Sequence, residues 1–315
     1  MTAISGDAGS AGLAIGPSID ACAAMLADSS IDRSVAPVVD PSIDSSIDPK
    51  ISRVAAIQMV STPDVAANIA TASALVARAV GEGAMLVSLP EYWPLLGLHE
   101  RDKLAHAEAP GVGPIQAAMA AMAAQHGIWL IGGTLPLVSA EPGKVLNSLL
   151  VYGPDGNQAA RYDKVHLFSF SRDAESYDEA RTITPGNSAQ SVETPLGRVG
   201  LSVCYDLRFP ELYRALGDCR LIVVPSAFTH TTGAAHWEIL LRARAIENQC
   251  YVLAAAQGGV HPNGRRTWGH SMLIDPWGEV LAVLAEGEGV VAGDIDVKRQ
   301  AAVRQSLPAL RHRRL

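Results

Sequence analysis

Short apolar runs alternate along the chain with stretches whose apolar residues recur every three or four positions. Val54-Ala55-Ala56-Ile57-Gln58-Met59-Val60 has the pattern of a buried strand. Thr62 is placed to cap the helix that follows, with Pro63 at its first position. In that helix Val65, Ile69, Ala72, Val76 and Ala79 share one face, and Gly81 and Gly83 end it. A second strand, 84–89, runs into Pro90-Glu91. Near Pro114 another helix begins, with Ile115, Met119 and Met122 on one side. The strand 128–131 follows and stops at Gly132-Gly133, a tight strand end. Segments 146–152 and 158–162 flank Gly153-Pro154-Asp155-Gly156 as a hairpin. Residues 169–189 are polar and irregular and read as a loop. Beyond them come a strand over 199–204, a short helix over 210–216, a strand over 221–225 and a strong helix over 234–249. Strands over 251–256 and 270–275 follow, and Asp275-Pro276-Trp277-Gly278 turns into a last strand pair. Strands alternating with helices, together with hairpins, predict a layered α/β fold. No stretch of 51–315 resembles a linker, so one domain is expected there.

Residues 1–50 follow a different pattern. Ser-Ile-Asp recurs at 18–20, 30–32, 42–44 and 46–48, with Pro, Ser and Asp between the few apolar residues. No period there builds a packed face, so a disordered N-terminal extension is expected. Charge separates the two parts as well. Of the net −7, seven Asp against Arg33 and Lys50 put −5 in the first 50 residues and leave −2 to the rest. A nearly neutral body argues against nucleic-acid binding. No apolar run approaches the roughly 18 residues that span a bilayer. The first ten residues carry Asp7 and no Lys or Arg, which argues against a secretory leader. Cys22, Cys204, Cys219 and Cys250 form no CxxC pair and no zinc-spaced cluster, so a reducing cytoplasm is expected and no metal.

Three polar residues follow apolar strands, where α/β folds build their sites: Glu91 after 84–89, Lys164 after 158–162, and Cys204 closing 199–203. A thiol at a strand end gains the N–H groups of the turn that begins at Tyr205, and a helix N-terminus favours its thiolate. Taken alone, Cys204 reads rather as a small buried apolar residue. Glu91 sits between Leu89-Pro90 and Tyr92-Trp93-Pro94, a desolvating setting that suits a carboxylate to proton shuttling. It could also be a loop glutamate that reaches water, and Lys164 a surface lysine paired with Asp163.

In combination these residues resemble the signatures of the nitrilase (carbon–nitrogen hydrolase) superfamily. The matching segments are Leu89-Pro90-Glu91, the run from Tyr162 to Phe168, and Val203-Cys204-Tyr205-Asp206-Leu207-Arg208-Phe209-Pro210-Glu211. The likeness continues through Pro225-Ser226-Ala227-Phe228, the helix from His236 to Asn248, and Gly269-His270-Ser271-Met272. It covers essentially all of 51–315. The resemblance implies a four-layer αββα sandwich of the nitrilase type that associates as a homodimer or a larger homo-oligomer. It also implies a Glu91–Lys164–Cys204 triad, with Glu179 as a supporting glutamate and Glu175 as the competing candidate. Cys204 would attack an amide carbonyl, Glu91 would move the protons, and Lys164 with the backbone N–H of Tyr205 would hold the oxyanion. No metal or organic cofactor is implied.

The residues after Cys204 look like the amidase branches rather than true nitrilases. The stretches from Arg242 to Gly258 and from Gly269 to Gly278 look most like deaminated-glutathione amidases, with omega-amidases of 2-oxoglutaramate as neighbours and N-carbamoyl amino acid hydrolases as a further alternative. Such substrates are small anionic amides, so a cationic anchor is expected. Arg208 is the first candidate, with Phe228, Thr229 and Thr232 lining the mouth. Arg265 and Arg266 stand behind it, read as a solvent-exposed loop tip. Two other classes compete: a papain-like hydrolase using His166, His230, His236 or His270, and a binding scaffold that keeps the fold without activity. No GxGxxG or Walker sequence supports nucleotide binding.

Overall fold

Alternation along β1 (Ser52–Gln58) sets the layering of the molecule. Val54 and Ala56 join a core shared by two sheets, while Ala55 and Ile57 join a second core beneath helices. Both faces are apolar, so the strand is buried on both sides. The computed structural model describes residues 52–172 and 175–314. The extension expected over 1–50 lies outside the described residues.

The first sheet has the order β14-β1-β2-β3-β4-β5, and the second β13-β12-β11-β10-β9-β8. They follow one plan. In the first, β1, β2 (Leu86–Ser88) and β3 (Trp129–Val138) run parallel. Antiparallel β14 (Gly289–Ile295) flanks β1, and β4 (Val145–Tyr152) and β5 (Gln158–Asp163) continue from β3. In the second, β9 (Gly197–Leu201), β10 (Leu221–Val223) and β11 (Tyr251–Ala254) are the parallel trio. Antiparallel β8 (Gln190–Thr194), β12 (Ser271–Ile274) and β13 (Val280–Leu284) flank it.

Helix α1 (Val65–Gly81) buries Ala72, Val76 and Ala79 against the outer face of the first sheet, beside Ile115, Met119 and Met122 of α3 (Pro114–His126). A one-turn helix α2 (Asp102–Ala105) lies between them in sequence. The short helix α4 (Pro210–Ala215) precedes α5 (His230–Asn248), which covers the second sheet with Trp237, Leu241 and Ala245. The result is the expected four-layer αββα sandwich.

Several local expectations change. The α1 cap is Asp64, which accepts from Ala67 N, while Thr62 accepts from Asp64 N. Asp is the stronger N-cap residue and stands closer to the first turn. β3 does not stop at Gly132-Gly133 but bulges there and continues to Val138. Gly133 has φ +56°, and a Cβ on it would collide with Pro90 O. The glycine thus lets β3 press against the turn that carries Glu91. The segment 169–189, read as a loop, contains the hairpin of β6 (Ser169–Arg172) and β7 (Glu175–Asp178), and a 3₁₀ turn over Glu179–Arg181. A final helix, α6 (Val297–Ser306), packs beyond β14 in sequence.

Candidate active site

Glu91 leaves the end of β2 and is 1% exposed. Its Oε1 accepts from Asn147 Nδ2 at 3.0 Å and from Lys164 Nζ at 2.8 Å, and its Oε2 accepts from Ala227 N at 3.0 Å. The first partner comes from β4, the second from the end of β5, the third from the second sheet. The next residue, Tyr92, holds φ +57° and donates its hydroxyl to Glu179 Oε1 at 2.8 Å. A non-glycine residue in that region is strained, and such strain gathers at sites.

Lys164 is 1% exposed and stands between two carboxylates. Its Nζ donates to Glu91, and to both oxygens of Glu179 at 3.1 and 2.8 Å. Phe168 N also donates to Glu179 Oε2 at 2.7 Å. Burial alone would push the Lys164 ammonium down, but the charges of Glu179 and Glu91 outweigh it and hold the group well above its ordinary value. Burial likewise pushes Glu179 up, yet Lys164 and the hydrogen bonds it accepts leave it below the usual carboxylate range. Glu175 is elsewhere: its Oε1 accepts from Thr231 Oγ1 at 3.0 Å. Of the two candidate glutamates, Glu179 is the one that reaches Lys164.

Cys204 opens a 3₁₀ turn, Cys204–Arg208, directly after Val203 at the end of the β9 segment. Its N–H donates to Pro225 O at 2.9 Å, and its φ is +51°. Holding a β-carbon in that region costs about 1–3 kcal/mol. Asp206 secures the turn by accepting from Val203 N at 2.8 Å, Tyr162 OH at 2.7 Å and His166 N at 3.1 Å. The Cys204 thiol holds its proton tightly: burial, then the Glu91 charge, push it well above its ordinary value against the pull of Lys164. The helix-terminus and lysine effects that favour a thiolate are therefore overruled. The resting sulfur is a neutral thiol.

Glu91, Glu179 and Cys204 border one open pocket, together with Phe168, Tyr205, Arg208, Phe228 and Thr232, while Lys164, held by the two carboxylates, stays outside its lining. Thr229 lines it too, as the N-cap of α5, accepting from Thr232 N. Arg208 lies 5.4 Å from the Phe228 ring centroid and contacts His236 Nδ1 at 3.2 Å. Phe228 also packs on Trp237, so it belongs to the core and to the pocket at once. Among the described residues no histidine lines the cavity. His166 is stacked on Phe209, and His270 bonds Trp268 O, so neither serves Cys204.

Arg265 overturns its expectation. It does not point from a loop tip into solvent but lines the cavity, with Nη2 donating to Ala227 O at 2.7 Å. Arg266 is exposed as expected, paired with Glu286. Sequence reasoning missed Asn147 and the Tyr92 hydroxyl. A polar Asn147-Ser148 pair inside the apolar run from Val145 to Tyr152 was the available signal for the first. No helix among the described residues is long and apolar enough to cross a membrane.

Known proteins resemble this chain in sequence and in fold. The family model described as carbon-nitrogen hydrolase matches residues 53–305. A deaminated glutathione amidase of Synechocystis sp. is 43% identical, over 82% of this chain and 97% of the relative. An omega-amidase of Homo sapiens is 39% identical, over 83% of this chain and 95% of the relative. Among solved structures, a CN-hydrolase superfamily protein of Xanthomonas campestris with an arsenic adduct in its active site superposes with a TM-score of 0.75. It is 30% identical, over 84% of this chain and 98% of that one. By fold, sequence and site, the chain belongs to the carbon–nitrogen hydrolase family of the nitrilase superfamily, as an amidase acting on C–N bonds other than peptide bonds.

Proposed function

We propose that this amidase cleaves a small anionic amide through a thioester on Cys204, and that its substrate is deaminated glutathione, split into 2-oxoglutarate and cysteinylglycine. One observation carries the catalytic part: the Cys204 thiol and the Glu91 carboxylate border one pocket, and the Lys164 ammonium holds Glu91 Oε1 there. Among the described residues Asn147 and Lys164 take both lone pairs of Oε1, while Oε2 accepts from Ala227 N and keeps one site for a proton.

The steps follow from those partners. As the Cys204 sulfur bonds to the amide carbon, its proton passes to Glu91, and the carbonyl oxygen becomes an oxyanion. Lys164 and the Tyr205 N–H, in the first turn where a helix leaves its N–H groups unpaired, hold that charge. The C–N bond then breaks, and Glu91 returns the proton to the departing nitrogen. Water enters, gives a proton to Glu91 and attacks the thioester. The C–S bond breaks and the proton returns to sulfur. Glu179 stays ionised and anchors the ammonium throughout.

For the substrate, Arg208 forms no ion pair with a carboxylate among the described residues and suits a carboxylate on the acyl fragment. 2-Oxoglutaramate carries the same acyl fragment, so Arg208 does not separate the two. The names of the relatives favour this pair over N-carbamoyl amino acids. An inactive scaffold is disfavoured by the intact set of acid, ammonium and thiol. We take the catalytic domain to be 51–315, working in a reducing cytoplasm that keeps Cys204 a thiol. Self-association through α5, where Ile239 is 71% exposed, is part of the same proposal and is tested by light scattering.

Amine release from deaminated glutathione, 2-oxoglutaramate, an N-carbamoyl amino acid and an aliphatic nitrile, measured side by side, tests the substrate. The highest kcat/KM is expected for deaminated glutathione. Preference for the nitrile or the carbamoyl compound rejects the proposal.

A further inference from the structure

Arg265 and Arg266 are adjacent in sequence but differ in what surrounds them. Arg266 meets Glu286 at 2.8 Å on the surface. Arg265 turns inward, and its guanidinium lies 5.2 Å from the Tyr177 ring centroid. Its Nη2 is spent on Ala227 O, but its Nε is buried with no hydrogen-bond partner. No carboxylate among the described residues forms an ion pair with it. Burial pushes its guanidinium down, and the electrostatic pull of Tyr177, Tyr92, Glu91 and Glu100 outweighs that, so the group is a firm cation. A half-buried cation whose Nε is shut off from water without a partner is costly unless something anionic completes it.

Its position distinguishes it from Arg208. Phe168, Glu179 and Arg265 border the pocket of Cys204 and also a second pocket, whereas Arg208 borders only the first. Arg265 therefore lies in the wall that the two share. Beyond it, Glu100 and Asp178 line the second cavity and repel an anion, so a negative group entering from Cys204 stops at Arg265. Arg265 also feels the charge of Glu91, the group that would hand a proton to the departing nitrogen.

Resting on the amidase reading of Cys204 given above, we propose that Arg265 is the leaving-group subsite: it binds a carboxylate carried by the departing amine, while Arg208 holds the carboxylate of the acyl fragment. The preferred substrate class is then an amide with an anion on each side of the scissile bond. An amide that releases ammonia engages Arg208 alone.

Selectivity tests this directly. The readout is the ratio of kcat/KM for deaminated glutathione, whose leaving amine bears a carboxylate, to kcat/KM for 2-oxoglutaramate. Because both values come from one protein sample, partial misfolding cancels. R265M is expected to lower the ratio by about 10- to 100-fold, the loss of one charge-assisted contact. Converting the terminal carboxylate of deaminated glutathione to a carboxamide should cost the wild type a similar factor and cost R265M nothing further. An unchanged ratio in R265M, or an undiminished carboxamide penalty in that variant, overturns the subsite alone. A wild-type protein inert toward both amides overturns the amidase substrate reading and the subsite with it.

Discussion

The two sheets deliver opposite kinds of chemistry to the pocket. From the first come Glu91 and Lys164, which with Glu179 form a set of buried charges with several partners each. From the second comes Cys204, an uncharged thiol on a left-handed backbone, placed by a turn rather than by ion pairs. Burial acts on both, with different results. Around Lys164 the two carboxylates more than offset desolvation, so the ammonium persists. Around Cys204 the same carboxylate charges add to desolvation, so the thiolate does not form at rest. The lesson is that permanent charge is stored on one side and latent reactivity on the other. The nucleophile appears only when a substrate carbonyl lets the proton move to Glu91.

The sharpest way to separate the two sides is to remove each in turn. Cys204→Ala takes away the proposed nucleophile and no ion pair. Turnover should fall by about 10⁴-fold or more, while the melting temperature stays close to that of the wild type. Substantial residual turnover in a folded Cys204→Ala protein rejects the thioester route. Lys164→Met acts on the other side and should damage activity and stability together. Losing one oxyanion donor costs about 10²–10³ in kcat. Leaving Glu91 and Glu179 buried without their cation costs about 3–5 kcal/mol, on the order of 10 °C in melting temperature for a domain of this size. Thermal melts of the two variants therefore should diverge. If Lys164→Met melts like Cys204→Ala, the charges of the first sheet are not the structural element described here.

How much of this was legible in the sequence depended on which physical signal each residue left. Glu91 and Cys204 follow apolar strands, and burial on both faces makes such strands plain in a one-dimensional pattern, whereas β5 ahead of Lys164 is largely open to solvent and Lys164 was legible only through the run from Tyr162 to Phe168. The β6–β7 hairpin left no such signal. Its strands are largely solvent-facing, so Ser169-Phe170-Ser171-Arg172 looks like a loop although it pairs with Glu175–Asp178. α6 is similarly polar and buries only Gln300 and Val303. Arg265 and Arg266 were indistinguishable because a one-residue difference in a loop decides which side chain turns inward, and only the position of Ala227 O and the Tyr177 ring settles it. The neutral state of the thiol could not be read either, since it follows from burial first and then from charges brought together from residues 91, 164 and 179.

The two sheets are joined by a polar seam, and its weakest member offers a smaller, pH-dependent test. Ser271 N and Oγ of β12 donate to Gln58 Oε1 of β1 at 2.9 and 2.8 Å. Gln257 Nε2, just past β11, donates to Ser61 Oγ at 2.8 Å and to the Glu91 carbonyl at 3.1 Å. His261 closes the seam, donating Nδ1–H to Ser61 O at 2.9 Å and accepting at Nε2 from Thr267 Oγ1 at 2.8 Å. Burial brings the His261 imidazole down to about 4 in the folded protein. In the unfolded chain it titrates near 6.5. The unfolded state therefore binds the proton first as pH falls, so this contribution is complete above pH ~6.5 and is lost progressively toward pH ~4, where the loss reaches roughly 3 kcal/mol. His261→Asn keeps a donor toward Ser61 and removes the titration. The wild type should thus lose stability faster than His261→Asn between those pH values, as measured by urea unfolding at each pH. Parallel curves for the two proteins would mean that the imidazole is not held neutral between the sheets, and that the seam coupling acid to thiol tolerates a charge at its centre.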